Sequence, residues 1–212
     1  MSKVSHLFQM LSLEEEAIKE GYQLVAGLDE AGRGSLCGPV VAAAVILDLT
    51  GDLEGIKDSK CLSARKREYH YYRIVENALC WAVGFVDAGE IDRINIKNAT
   101  FKAMKQAVCR LKKKPHLLLI DGLPLPSLGE VPQIFIVKGD ANCLSIAAAS
   151  IVAKVTRDRI MLKLDKEYPK YLLRKNKGYG TAEHLKALKL LGPSPIHRLT
   201  FNPMRSTIGT LF

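Results

Sequence analysis

Several features missing from this chain narrow what it can be. No C-x-x-C pair occurs: the five cysteines, Cys37, Cys61, Cys80, Cys109 and Cys143, are scattered along 212 residues. A zinc site is therefore not expected, and an odd, dispersed set reads as reduced thiols. The longest apolar run, Pro39 to Leu47, is too short to span a bilayer. The N-terminus has no basic start followed by an apolar core and a cleavage site, so a cytoplasmic protein without membrane contact is expected. Neither G-x-G-x-x-G nor G-x-x-x-x-G-K-[ST] is present, which argues against a nucleotide-binding loop. No internal repeat, low-complexity segment or linker divides the chain, so its length suits one large domain, or a domain with an appendage.

What is present concentrates in residues 27–34, Gly-Leu-Asp-Glu-Ala-Gly-Arg-Gly. Asp29 and Glu30 close an apolar run (Leu24, Val25, Ala26, Leu28), and adjacent carboxylates at a strand end can hold a hard divalent cation. In Gly32-Arg33-Gly34, two glycines allow close approach of backbone to a ligand, and a guanidinium between them suits a phosphate. Together these suggest phosphodiester chemistry. The plainer alternative is a Gly-rich turn that only reverses the chain.

The net charge of +9 is unevenly placed. Residues 1–137 hold 17 Lys/Arg and 17 Asp/Glu, whereas residues 138–212 hold 14 against 5, so the C-terminal part carries all of it. A one-sided positive field suits a polyanion, because neutralising phosphates releases counterions. Within it, residues 170–180 (KYLLRKNKGYG) interleave tyrosines with cations, as stacking on nucleic acid requires. A solvated basic tail is the alternative.

The pattern predicts a short amphipathic helix over Leu13–Glu20 and strands over Tyr22–Asp29 and Val40–Leu47, the second apolar enough to be buried on both faces. Asp58-Ser59-Lys60 reads as a polar loop. A helix capped by Ser63 runs to about Cys80, and a third strand covers Trp81–Val86. A helix over Glu90–Lys113 carries Ile94, Phe101, Met104, Ala107 and Val108 on its buried stripe. Strands His116–Ile120 and Gln133–Val137 follow, then one long helix from Asp140 to about Tyr168 and another from Thr181 to Leu191. Strands joined by turns and then alternating with helices imply a mixed α/β sheet, whose ligands gather beyond the carboxyl ends of parallel strands.

Asp29 and Asp121 both follow apolar strand runs. Asp121 is also an Asp-Gly turn residue, and Asp140 is also a candidate N-cap. On a continuous helix Asp158 stands about 27 Å along the axis from Asp140 and cannot share its site. With Arg157 and Arg159 beside it, Asp158 reads as a structural ion pair. Asp29, Glu30, Asp121 and Asp140 remain. Such a cluster repels itself unless cations relieve it, and paired metals can serve an in-line displacement. The histidines, His6, His70, His116, His184 and His197, are read singly as packing or surface residues.

These motifs resemble the ribonuclease HII family, the bacterial type 2 ribonucleases H. The resemblance covers about Val25 to Pro203. It rests on Asp29-Glu30-Ala31-Gly32-Arg33-Gly34, residues 38–44 (GPVVAAA), Asp58-Ser59-Lys60, Asp121-Gly122, Lys138-Gly139-Asp140, residues 147–159 (AAASIVAKVTRDR), Lys177-Gly178-Tyr179-Gly180-Thr181, residues 192–198 (GPSPIHR) and Phe201. It implies an α/β, ribonuclease H-like five-stranded mixed sheet flanked by helices with a basic C-terminal helical region. That divides the chain into a catalytic core, 1–168, and a basic substrate-binding region, 169–212, packed on it.

By the same resemblance Asp29, Glu30, Asp121 and Asp140 are the catalytic acids, holding two Mn2+ or Mg2+ ions. Gly32, Arg33, Gly34 and Tyr179 recognise the ribonucleotide and its junction with DNA, with Lys60, Arg174, Lys175 and Lys177 as further substrate contacts. The implied activity cuts the RNA strand of RNA–DNA hybrids and the 5′ side of ribonucleotides embedded in duplex DNA, leaving 5′-phosphate and 3′-hydroxyl. A monomer is expected. The Gly-Arg-Gly turn and a first motif at residue 27 argue against the sister ribonuclease HIII, which carries an extra N-terminal domain. Asn176 and Asn142 depart from the family's frequent histidine and lysine and are expected to tune substrate contacts. The rival readings are a DNA nuclease on the same fold and a non-catalytic nucleic-acid binding module.

Overall fold

The computed structural model describes residues 13–51, 56, 62–122, 126 and 130–204. Helix α1 (13–19) precedes β1 (Val25–Ala31) and β2 (Val40–Ile46). Then come α2 (Ala64–Asn77), β3 (Cys80–Val86), α3 (Ala88–Arg110), β4 (Leu117–Asp121) and β5 (Gln133–Ile136). The chain continues through α4 (Gly139–Asn142), α5 (Leu144–Glu167), a 3-10 turn (Pro169–Tyr171), α6 (Leu173–Asn176) and α7 (Ala182–Leu191). The strands form one sheet in the order β3-β2-β1-β4-β5. β1, β2 and β3 are antiparallel neighbours, while β4 runs parallel to both β1 and β5.

All seven residues of β2 are buried, as its apolar run predicts. Side chains alternate across a strand, and β2 divides accordingly. Ala43 and Val45 join a core with α2 and α5, whereas Ala42, Ala44 and Ile46 join one with α3. The alanine-rich start of α5 lies against β1 so closely that a Cβ at Gly27 would fall 2.1 Å from the Ser145 carbonyl carbon. A side chain there would force the helix off the sheet.

Two helices differ from expectation. In α3 the helical path is interrupted at Asn95 (φ 66), and its buried residues are Ala88, Ile91, Ala99, Thr100, Ala103, Met104 and Ala107, while Ile94, Phe101 and Val108 are only partly covered. The long helix expected from Asp140 is two helices, because Cys143 is extended (φ −137, ψ 128). The cause lies far away in sequence. Buried Glu14 of α1 accepts hydrogen bonds from the Ser145 N–H (2.7 Å) and the Cys143 thiol (3.1 Å), capping α5 from outside. Asp140 is therefore not an N-cap; it lies in the short turn α4, whose cap position is Lys138.

A third cluster joins Leu36, Cys37 and Met161 to Tyr171, Leu173, Ala187, Leu188 and Met204, fastening the C-terminal helices to the β1–β2 connection. Among the described residues, no helix is long and apolar enough to cross a membrane.

Candidate active site

The acids gather where parallel strands end. β1 and β4 pair in register through Leu28 and Ile120, so Asp29 and Asp121 are the next residues out on neighbouring strands. The Gly139 N–H donates to Asp121 Oδ1 at 2.6 Å, which brings Asp140, next in the chain and buried, to the same sheet end. Glu30 is half-buried, its backbone N–H donates to Asp29 Oδ1 at 2.7 Å, and its Oε1 is 3.2 Å from Arg33 Nη1.

Burial pushes the Asp29 carboxyl well above the usual carboxylate range, and the charges of Glu30 and Asp121 push it further. A hydrogen bond from Ser150 of α5 and the backbone bond from Glu30 oppose that rise. Such a carboxylate is stabilised by a cation. The donor set is all oxygen, which fits a hard divalent ion such as Mg2+ or Mn2+. The arrangement is open: among the described residues, only Cys37, His184 and His197 bring three metal-capable ligand atoms within 4.8 Å of one another.

The Gly32-Arg33-Gly34 turn follows these acids directly in the chain. Gly32 has φ +91, and a Cβ on it would lie 2.0 Å from Nε of Arg157, whose side chain is fully buried beneath it. Gly34 has nothing within 4 Å of its Cβ position and leaves open space instead. Arg33 projects outward. The Leu36 N–H donates to the Gly178 carbonyl at 2.8 Å, which ties the turn to the Tyr179 loop. The partly exposed Tyr179 ring has Lys154 Nζ and Arg157 Cζ each 5.4 Å from its centroid.

Two buried arginines brace this junction through backbone carbonyls, and the charge pattern gave no sign of them. Arg157 donates to Pro39, Lys177 and Cys37; Arg198 donates to Gly38 and Arg33. Burial lowers the pKa of both, Arg198 to about 10. Arg157 thus does not serve Asp158. That acid pairs with Lys154 at 2.8 Å, and Arg159 pairs with Glu68. The break at Cys143 precedes α5, which runs unbroken from Leu144 to Glu167, so Asp158 still lies about 21 Å along the helix from its start, where it pairs with Lys154.

Arg174, Lys175 and Lys177 sit together on α6 and its C-terminal end. Arg174 lies 3.6 Å from Asp165 and Lys175 3.8 Å from Glu183, both largely exposed, while Lys177 Nζ donates to the Arg174 carbonyl. Lys60 lies outside the described residues. Asn176 is buried, donating to the Tyr171 carbonyl (2.7 Å) and accepting from the Gly178 N–H (2.8 Å), so it braces the loop. Asn142 donates to the Val137 and Lys138 carbonyls. Both departures bind backbone within the chain.

Comparison with known proteins agrees with this fold. The family model described as Ribonuclease HII matches residues 26–204. A protein named Ribonuclease HII from Dehalococcoides mccartyi is 56% identical over 196 residues, covering 91% of this chain and 92% of that relative. Another of that name from Acetivibrio thermocellus is 52% identical over 199 residues, covering 94% and 77%. The crystal structure of ribonuclease H2 from Pyrococcus horikoshii superposes with a TM-score of 0.75 at 29% identity, covering 89% of this chain and 98% of that one. The fold is ribonuclease H-like.

Proposed function

The chain belongs to the ribonuclease HII family, and on that premise we propose that it is an endonuclease hydrolysing the RNA strand of RNA–DNA hybrids and cutting 5′ of ribonucleotides embedded in duplex DNA. The observation that carries this reading is Asp29, buried beside Glu30 and Asp121 at the ends of parallel strands. Asp29, Glu30, Asp121 and Asp140 are assigned as the acids that hold divalent cations, Mn2+ or Mg2+. The chemistry such cations would supply, when held by these four acids, is positive charge for the reacting phosphate and a water acidic enough to act as nucleophile.

The residues of the chain have distinct tasks. Ser150 and the Glu30 N–H fix the Asp29 carboxylate, and the Gly139 N–H fixes that of Asp121, so ligand orientation is set before substrate arrives. Distinguishing RNA from DNA requires sensing a 2′-hydroxyl. The backbone around Gly32 and the open space at Gly34 admit a sugar edge closely, with Arg33 beside the phosphate. Tyr179, with two cations near its ring, stacks on the adjoining sugar. The 2′-hydroxyl is read and takes no part as nucleophile, giving 5′-phosphate and 3′-hydroxyl ends.

The test is cleavage of a DNA duplex with one embedded ribonucleotide and of the same duplex in all-DNA form, with Mg2+, Mn2+ or EDTA. Metal-dependent cutting on the 5′ side of the ribonucleotide is expected. Equal cutting of the all-DNA duplex would make the chain a DNA nuclease, and tight binding without cutting in either metal would make it a binding module.

A further inference from the structure

The buried set Cys37, His184 and His197 has the residue types and spacing of a metal site, yet its hydrogen bonds assign it another task. The Ser194 backbone N–H, which can only donate, points at His197 Nδ1 at 3.0 Å, and the Ser194 hydroxyl lies 2.8 Å from the same atom. His197 Nδ1 therefore carries no proton, and in the neutral ring the proton sits on Nε2. That Nε2 lies 3.1 Å from His184 Nε2, which must accept. The proton of His184 is then on Nδ1, which donates to the Tyr179 carbonyl at 2.9 Å. Each step leaves one tautomer.

A cation fits this arrangement poorly. A proton occupies His197 Nε2, the atom that would have to ligate. Burial pushes the Cys37 thiol up to about 12 despite the nearby charges of Arg157 and Arg198, and those two guanidiniums would repel a metal. Neutral rings suit the place: burial also lowers the pKa of His184 and, with the charge of His184 adding to the effect, that of His197 to about 4. The chain of bonds starts on the 192–198 segment, which bears His197, passes through His184 of helix α7, and ends on the loop that carries Tyr179.

We propose that His184 and His197 form a neutral, single-tautomer relay that positions Tyr179 for reading the sugar at the scissile junction, and that they do not bind metal. The proposal rests on the reading of Tyr179 given above. Both histidines are positioning residues, since they act through the Tyr179 backbone.

The test has a spectroscopic and a kinetic arm. In the 15N-labelled protein near neutral pH, long-range proton–nitrogen correlation should show the Nε2–H tautomer for His197 and the Nδ1–H tautomer for His184, unchanged by added zinc. In cleavage assays, His184→Leu should lower kcat/KM on a single embedded ribonucleotide roughly tenfold more than on a long RNA–DNA hybrid, the scale of one lost buried hydrogen bond. His184→Asn, whose amide can donate to the same carbonyl, should recover most of that loss and bring the ratio of the two substrates back toward the parent's.

An Nδ1–H tautomer on His197, or one zinc ion per chain bound through these histidines, would overturn the relay. So would a loss in His184→Leu that is equal on both substrates while Tyr179→Ala shows a biased one. An unbiased loss in Tyr179→Ala would instead refute the ribose reading of Tyr179 and the positioning role with it. If His184→Leu does not fold, the tautomers and the His184→Asn ratio decide alone.

Discussion

Gly32 and Gly34 look interchangeable in the sequence, but the residues around them differ. Gly32 sits at φ +91 over Arg157 Nε, so Gly32→Ala would add left-handed strain and a clash with a buried guanidinium, costing about 2–4 kcal/mol. A Cβ at Gly34 meets nothing, so Gly34→Ala should leave the unfolding midpoint in urea unchanged. If it nevertheless lowers cleavage of a single ribonucleotide, the lost space belonged to substrate; unaltered cleavage would remove Gly34 from the recognition turn. Asp29→Asn tests the other half of the site. It removes one charge from a buried group that Glu30 and Asp121 already repel, so the metal-free protein should melt no lower than the parent. Hydrolysis should fall by at least about 100-fold, since the role is electrostatic and positional. Near-parental turnover with saturating Mg2+ and Mn2+ would remove Asp29 from the metal ligands.

At the scale of elements, legibility follows the range of the cause. The β2 strand could be read from its own apolar run, and the Ser63 and Thr181 caps from their own hydroxyls, because each cause is local. The interruption at Cys143 could not, because the group that caps α5 is Glu14, 131 residues away from Ser145. The acids at the strand ends were legible as types and positions, whereas the arginines beneath them were not. A buried arginine bonded to carbonyls has the same sequence signature as one in solvent. The His184–His197 pair escaped for a related reason, since each residue is unremarkable until the fold joins them. Glu14→Ala tests the cap. It should destabilise the protein by about 1–3 kcal/mol by leaving the Ser145 N–H without its acceptor. Because α4, which carries Asp140, leads directly into that capped helix start, more Mg2+ should be needed for half-maximal cleavage. A loss of stability with an unchanged Mg2+ requirement would mean that α4 holds Asp140 without help from α1.

Over the whole molecule, two kinds of charge respond to different solution conditions. His197 faces His184, Tyr171, Ser194 and Cys37, and burial together with the charge of His184 lowers its folded pKa from the ordinary 6.5 to about 4. The unfolded chain therefore takes up a proton that the folded one refuses. The stability this group contributes is complete above pH 6.5 and is lost as pH falls toward 4. His197→Gln should flatten that part of the stability curve relative to the parent; parallel curves would show that His197 is not shifted. The basic C-terminal part responds instead to salt. Replacing Arg174, Lys175 and Lys177 together by Ala would reduce the slope of log affinity against log salt by roughly two to three units if all three touch phosphates. Arg174 and Lys175, however, already have Asp165 and Glu183 beside them. Part of their charge is spent within the chain, and part of the counterion release with it, so we expect a reduction nearer one to two units. Restoring the positive field by Asp165→Asn and Glu183→Gln in the parent should then steepen the slope. If it stays unchanged in all of these variants, the excess positive charge of residues 138–212 is a solvated surface and phosphate contacts must be sought on the Arg33 side of the site.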